Sequence, residues 1–531
     1  MSDKLILQEL CRYKIGTYAD IIYRNALLYP DRQAFSYREE RVTFNQFNAR
    51  VNSLIHALWS LGLEKRDVLG ILSWNCLEYA DVYGAAMKGG FIASPFNPRL
   101  QADELEYLIN YSEAKALFVG PELWETVNEL RSRIPHVKNY VSFEGAGTDM
   151  IPHRDLLRAH AKNEPDIRVT EEDPFLIFYT SGTTGVPRGA LYTQGRKMAD
   201  TQIFVQELAL DPTDKHVMIV PLFHVAGGSF LWVFFYAAAS NLIMPQRSFD
   251  PAATLQAIQD EKATVIHIVP THLVAMLSLP GFEKYDLSSL KRMWYAGSPM
   301  PTELLRKGME IFGPIFMQAY GQSESGPNVT FLPTRYHQVL DRPPEEQRVL
   351  ASIGQPCIGV HVRIVDEKNK DVEPGEVGEI VAQSKSIMVE YWRKPDETRD
   401  ALVDGWLHTG DMGYYDETGF IYLVDRKKDM IVSGGENVYP REVEEVLYRH
   451  PAVEEVAVIG IPDPYWVEKV HAVVILKTPG KVTEEDIIQF CKNHLAHYKA
   501  PKSVEFVHTL PKNPQGKILK RELRKRYGAG L

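Results

Sequence analysis

The 531-residue sequence predicts an α/β fold in two units: a large N-terminal domain of parallel-rich βαβ sheets with a small β subdomain, then a small α+β C-terminal domain. Three observations predict it. Between residues 43 and 120, helical apolar periodicity alternates with short apolar runs. Beyond about residue 350 the texture changes to short strands and turns, and after the charged segment at 425–429 a compact tail alternates again. A chain of this length exceeds what one hydrophobic core supports.

From Thr43 to Leu63, the residues Phe44, Phe47, Val51, Leu54, Ile55, Leu58 and Leu61 recur at three- and four-residue intervals, predicting an amphipathic helix that ends near Gly62. VLGILS (68–73) follows as a strand, EYADVYGAAMKGG (78–90) as a helix, FIASPF (91–96) as a strand, ADELEYLINYSEA (102–114) as a helix and KALFVG (115–120) as a strand. Strands joined by helices of this length imply parallel pairing. The uncharged run VAGGSFLWVFFYAAASNLIM (225–244) is long enough to span a bilayer. Its paired glycines and polar Ser229, Ser240 and Asn241 favour one buried helix instead. In HVRIVDEKNKDVEPGEVGEIVAQ (361–383), DEKNKD and EPGE are turn signals of the small β subdomain. The tail then offers EVEEVLYRH (442–450) as helix, EEVAVIGI (454–461) and KVHAVVIL (469–476) as strands, EEDIIQFCKNHL (484–495) as helix and SVEFV (503–507) as strand.

Composition narrows the function classes. Basic and acidic side chains number 59 and 69, a net charge of −10, which speaks against a nucleic-acid partner. Cys11, Cys76, Cys357 and Cys491 lie far apart with no C-x-x-C pair, as neither a disulfide framework nor a zinc site would have them. With Asp3, Lys4 and Glu9 interrupting the first apolar run, no export signal is visible, and a reducing cytoplasm is the expected compartment.

The stretch YTSGTTGVPRGA (179–190) follows the apolar run PFLIF. Thr180, Ser181, Gly182, Thr183, Thr184 and Gly185 offer backbone N–H groups that glycine lets approach closely, together with four hydroxyl donors, and Arg188 adds a fixed positive charge. Such a segment suits a polyphosphate, although a flexible surface turn has the same composition. It is not a P-loop, since the position five residues after Gly182 is proline.

The loop resembles the signature of the adenylate-forming superfamily, which comprises acyl-CoA synthetases, luciferases and adenylation domains of peptide synthetases, except that Arg188 stands where the family usually has lysine. AYGQSESGP (319–327), GWLHTGD ending in Asp411, DRKKDMIVSGGENVYPREVE (425–444) and PKNPQGKILKRELR around Lys517 follow in the family's order. The resemblance implies a domain of residues 1–427 that holds ATP and acid, and a mobile domain of residues 428–531 turning about Lys428. It implies nucleotide contacts at Thr180, Ser181, Gly182, Thr183, Thr184, Gly185, Arg188, Gly297, Ser298, Pro299, Ala319, Tyr320, Gly321, Ser323, Asp411, Arg426 and Lys517. Within these, Tyr320 would stack on adenine, Asp411 and Arg426 would hold the ribose, and Glu324 would hold Mg²⁺ through a carboxylate oxygen. Taken alone, Tyr320 and Glu324 read rather as a core tyrosine beside a surface glutamate, and the resemblance favours the site.

The resemblance further assigns catalytic roles to Lys517, Glu324 and Thr180. It places the acyl pocket at His224, Val225, Ala226, Gly228, Ala296, Ala319 and Pro327, and coenzyme A contacts at Ser433, Gly434 and Gly435. The implied reaction joins a carboxylic acid to coenzyme A through acyl-AMP, with ATP and coenzyme A as co-substrates and Mg²⁺ as cofactor. A carrier-protein thiol as acceptor, a long-chain fatty acid as substrate, a luciferase-type oxygenase and a non-catalytic nucleotide- or acyl-binding protein are the alternatives. A homodimer stays open. Ala319, a position that is glycine in many relatives, favours a compact acid: aromatic, alicyclic or medium-chain. Val432 and Val467 depart from the residues common at their positions.

Overall fold

The computed structural model describes residues 15–145, 149–180, 187–245, 247–426, 429–433, 436–463, 465–478, 480, 482–513 and 517–528. Two mixed sheets form the large N-terminal part. In the eight-stranded sheet, Val68–Leu72 lies between Ile92–Phe96 and Ala114–Val119, parallel to both, with helices Leu77–Gly89 and Ala102–Ser112 as crossovers. These are the expected βαβ units. The helix expected from Thr43 spans Phe44–Ser60 and starts on a capping box: the Thr43 side chain accepts from the Gln46 N–H while the Gln46 side chain accepts from that of Thr43. Its buried face carries Phe44, Phe47, Val51, Leu54, Ile55 and Leu58, as the periodicity requires.

The nine-stranded sheet positions the site. Lys215–Met218, Val265–Ile268, Arg292–Tyr295 and Phe316–Gln322 run parallel as neighbours, and Gly326–Leu332 returns antiparallel to Phe316–Gln322. Their carboxyl ends open on one edge, where open α/β sheets place ligands.

The run 225–244 is not one helix. Helix Val225–Tyr236 ends at Ala237, and Ser240–Ile243 enters the nine-stranded sheet as a strand parallel to Lys215–Met218 and Gln33–Tyr37. Both segments are buried, so neither shows the one-sided apolar pattern that would have separated them. The polar residues mark the break: Asn241 turns inward to pair with His216 and the Leu231 carbonyl. Among the described residues, no helix is long and apolar enough to cross a membrane.

The strand-and-turn region is an antiparallel sheet of five strands, with Val360–Val365, Gly378–Ser384 and Trp406–Tyr415 in order and Ile421–Arg426 paired to the last. The tail has its own core of Ile431, Val443, Leu447, Val456, Val470, Ile487 and Val504. Its two long strands, Val453–Asp463 and Val467–Leu476, form an antiparallel hairpin, beside which Ser503–Phe506 lies parallel. Helices Pro440–Tyr448 and Glu484–His494 complete this α+β unit. Cys76, Cys357 and Cys491 are free and buried, and Cys11 lies outside the described residues.

Candidate active site

The hairpin Phe316–Gln322 and Gly326–Leu332 carries the centre of the site. Tyr320, on the first strand, donates its phenol to Asp411 Oδ2 at 2.8 Å, and Gln322 Nε2 donates to the same oxygen at 2.7 Å. Asp411 sits on strand Trp406–Tyr415 opposite Arg426 of Ile421–Arg426, so two chain segments 91 residues from Tyr320 and beyond meet at one point. Tyr320 is 8% exposed and Asp411 4%. Tyr320 and Asp411 thus form one buried cluster, which Gln322, outside the residues expected at the site, joins.

Glu324 lies in the hairpin's turn and is buried, not on the surface. Its Oε1 accepts a hydrogen bond from the Tyr391 phenol at 2.7 Å. The Arg188 guanidinium stands over the same tyrosine ring at 4.4 Å from its centre. Tyr391 belongs to the short strand Glu390–Tyr391, paired antiparallel to Arg188–Thr193, and this pairing brings it between the arginine and the carboxylate. Burial, the negative charge of Glu324 and the hydrogen bond to it push the Tyr391 phenol pKa up, so it remains a donor. The turn itself is held by Tyr192, whose hydroxyl donates to the Ser323 carbonyl and accepts from the Gly326 N–H. Neither tyrosine belongs to a motif quoted from the sequence; only tertiary pairing reveals them.

Thr180 and Arg188 face each other across the mouth of the glycine-rich loop as register partners. Thr180 Oγ1 and Arg188 Nε are buried with no hydrogen-bond partner among the described residues. A buried orphan of this kind costs about 1–3 kcal/mol, which a ligand oxygen at the loop mouth would relieve. Ser181, Gly182, Thr183, Thr184 and Gly185 lie outside the described residues, as do Lys428, Gly434 and Gly435.

Gly297 follows strand Arg292–Tyr295 with φ +83°, and it, Ser298 and Pro299 are at least partly open to solvent, while Ala296 is buried. Ala319 is buried opposite Phe331, and Pro327 is buried on the returning strand. His224 caps helix Val225–Tyr236, its Nδ1 accepting from the Ala226 N–H at 3.3 Å. Val225 is buried and Ala226 partly so, and a side chain at Gly228 would sit 2.6 Å from the Phe178 ring. Burial first, and then the positive charge of Lys517, push the His224 pKa down to about 4. The imidazole is therefore neutral, with its proton on Nε2. The charge of Lys517, from the C-terminal unit, thus acts on the residue that starts helix Val225–Tyr236 of the large domain. A β-bridge between Lys512 and Ile518, together with reciprocal hydrogen bonds between Asn513 and the Lys517 backbone, shapes the loop that carries it.

Ser433 lies apart, in the C-terminal sheet, 2% exposed and with Oγ lacking a partner among the described residues. Val432 is exposed and its N–H donates to Glu468, whereas Val467 pairs with Ser433 through the backbone.

Residues 22–392 match the profile described as AMP-binding enzyme, and residues 442–517 that of the AMP-binding enzyme C-terminal domain. The chain is 35% identical over 505 residues to a feruloyl-CoA synthase of an Amycolatopsis species, covering 95% of this chain and 98% of that one. It is 33% identical over 496 residues to the fatty acid–[acyl-carrier-protein] ligase ScoC of Streptomyces coeruleorubidus, covering 92% of each. Among solved structures, the anthranilate CoA ligase AuaEII in complex with anthranoyl-AMP superposes with a TM-score of 0.88 at 28% identity, over 97% of both chains. With fold, motif order and relatives in agreement along its length, the chain belongs to the AMP-binding enzyme family of the adenylate-forming superfamily and is an adenylate-forming ligase.

Proposed function

We propose that the protein is an AMP-forming acid–coenzyme A ligase for a compact carboxylic acid. A carboxylate oxygen attacks the α-phosphorus of ATP, pyrophosphate leaves, and acyl-AMP forms. The coenzyme A thiol, giving up its proton, then attacks the acyl carbon, and AMP leaves with the electron pair of the broken C–O bond. The observation that carries this reading is that the charge of Lys517, from the C-terminal unit, acts on His224 at the carboxyl edge of the nine-stranded sheet. There an ammonium on a long stem can neutralise charge as two anions approach each other. His224, held neutral, adds none of the positive charge that would compete for the carboxylate.

Asp411 with Tyr320 and Gln322 supplies an oriented acceptor suited to ribose hydroxyls, with Arg426 opposite. Thr180 and Arg188 would receive phosphate oxygens. The donor set fits Mg²⁺: among the described residues no group of three or more His, Cys, Asp or Glu side chains could form an all-protein cage, and Mg²⁺ is commonly held by one or two carboxylates plus substrate phosphates. Glu324 would hold it, its other oxygen fixed by Tyr391; bound Mg²⁺ would neutralise phosphate charge. We place the small domain at residues 428–531, turning about Lys428 between the two half-reactions so that Ser433, Gly434 and Gly435 replace Lys517 beside the acyl-AMP.

Compactness rests on Ala319 and on Phe230, whose ring centre lies 3.9 Å from that of Trp294 and closes the space between helix Val225–Tyr236 and the sheet. The names of two relatives, a feruloyl-CoA synthase and an anthranilate CoA ligase, point to aromatic acids. The test is pyrophosphate release across a panel of carboxylic acids, with thioester formation followed on free coenzyme A and on a phosphopantetheinylated carrier protein. Acid-dependent pyrophosphate release with transfer to coenzyme A is expected. Transfer to the carrier alone would make this a carrier-loading ligase, and a preference for acids of long chain would remove the compact-acid reading.

A further inference from the structure

We propose that the acid carries a second, uncharged oxygen function, a hydroxyl or keto group remote from its carboxylate, and that His267 and Trp294 receive it. This rests on the ligase reading and deepens it. His267, on strand Val265–Ile268, and Trp294, on Arg292–Tyr295, are register partners whose rings stack at 3.6 Å with 8° between their planes. His267 is 1% exposed and Trp294 fully buried. Among the described residues, neither ring nitrogen of His267 nor Nε1 of Trp294 has a hydrogen-bond partner. Three orphaned polar atoms on two touching side chains form a concentrated deficit, since each costs about 1–3 kcal/mol when left unpaired. A purely structural core pair is normally satisfied.

Their place in the sheet connects them to the acyl pocket. Side chains two residues apart on a strand share a face, as do those of register partners on parallel strands. The pairing of Trp294 with Met317 therefore puts Met317 and Ala319 on the side of Trp294. Ala296 and Ala319 are proposed pocket positions, and the ring pair is the next layer along the strands, about 7 Å deeper at ~3.3 Å per residue. Phe230, one turn beyond Ala226 on the covering helix, packs on both rings, at 5.4 Å from His267 and 3.9 Å from Trp294. An acyl pocket running down this face from Ala319 would end on a floor with polar atoms of its own.

The floor's chemistry selects the partner. Burial first, and after it any positive charge on His216, His272 or His224, the titratable groups that act on His267, holds its imidazole neutral. A neutral imidazole presents one N–H and one lone pair, and the indole a single N–H. A carboxylate or an ammonium there would be buried without a counter-charge, which is far costlier than burying a neutral group. A hydroxyl or keto oxygen accepts from the indole or imidazole, and a hydroxyl can also donate back.

Acid-dependent pyrophosphate release tests this with matched acids, each hydroxy or keto acid beside its unsubstituted, dicarboxylic and amino counterparts. Wild type should favour the hydroxy or keto member by at least about tenfold in kcat/KM, the scale of one hydrogen bond otherwise left unmade. His267→Phe, which keeps a ring on Trp294 and leaves the indole N–H as the one remaining donor, should reduce that preference severalfold. Equal use of the pair by wild type would mean that buried water alone satisfies the floor, and a preference undiminished in His267→Phe would place recognition elsewhere; either overturns the proposal while leaving the ligase reading intact. No pyrophosphate release with any acid would overturn both. Should His267→Phe fail to fold, the wild-type ratios decide alone.

Discussion

Tyr391 touches two charged groups brought from distant parts of the chain, Glu324 through its hydroxyl and Arg188 through its ring face. The two contacts separate cleanly by substitution. Tyr391→Phe keeps the ring under Arg188 and removes a hydrogen bond to a carboxylate, worth about 1.5–3 kcal/mol. Metal-dependent binding of a non-hydrolysable ATP analogue, measured by calorimetry, should weaken by roughly tenfold, while binding without metal stays close to wild type. Tyr391→Leu loses the cation–π contact as well, worth about 0.5–2 kcal/mol, and should weaken both. Unchanged metal dependence in both variants would show that Tyr391 does not orient Glu324. At this scale the sequence was informative about residues inside motifs and silent about those that support them. Tyr320, Glu324 and Asp411 were legible because their motifs carry them. Gln322, Tyr391 and Tyr192 act through partners 67 to 134 residues away, which no local pattern encodes.

The hairpin that holds Tyr320 and Glu324 depends on Gly321 for a reason of space. A Cβ there would stand 2.2 Å from the Gly326 carbonyl oxygen and 2.7 Å from Pro327 backbone atoms, inside the distance at which backbone must shift. Gly321→Ala should splay the turn and move Glu324, lowering acyl-AMP formation at least about tenfold, the scale of a mispositioned catalytic group, with the far-ultraviolet circular dichroism unchanged. Adenylation at the wild-type rate would mean that the turn tolerates the shift. Element boundaries followed the same logic of neighbours. The helix at Phe44–Ser60 was legible because one face meets water and the other the core, so its period survives in the sequence. Helix Val225–Tyr236 and strand Ser240–Ile243 merged into one apolar run because both are enclosed, and the hairpin of Val453–Asp463 and Val467–Leu476 showed strands but not their antiparallel pairing.

Over the whole molecule, buried neutral histidines tie stability to pH, and contacts between the two units tie the conformation to the half-reaction. His153, His216 and His337 are nearly inaccessible, and burial pushes each pKa down to about 4 from the 6.5 expected unfolded. Between those values the unfolded chain binds protons that the folded one does not, so stability is full above pH 6.5 and falls as pH drops toward 4. At pH 5 each should cost about 1–2 kcal/mol, and thermal melts should show a midpoint falling steeply through this window; a flat profile would mean that these rings are protonated at no cost in the fold. In the observed arrangement the C-terminal unit docks through the Arg441 guanidinium, which donates to the Leu423 carbonyl at 2.8 Å, and the Arg441 N–H on Asp425 at 3.0 Å, with the Glu445 carboxylate beside the backbone of Thr302. The charge of Lys517 acts on His224 in this docked arrangement. Two variants then separate chemistry from docking. Lys517→Ala should lower acyl-AMP formation by about 10²–10³, the scale of losing one charge-stabilising donor, yet convert synthetic acyl-AMP and coenzyme A to thioester near the wild-type rate. Glu445→Ala weakens the dock but keeps the lysine, so it should slow adenylation by only a few fold, through the smaller population of the competent state, and leave thioester formation equal or faster. Rapid-quench measurement of both half-reactions for both variants gives the four rates. If Lys517→Ala slows the two steps alike, the lysine is structural or the small domain does not turn. If Glu445→Ala slows thioester formation more than adenylation, the docked arrangement serves the second step and the assignment of half-reactions is reversed.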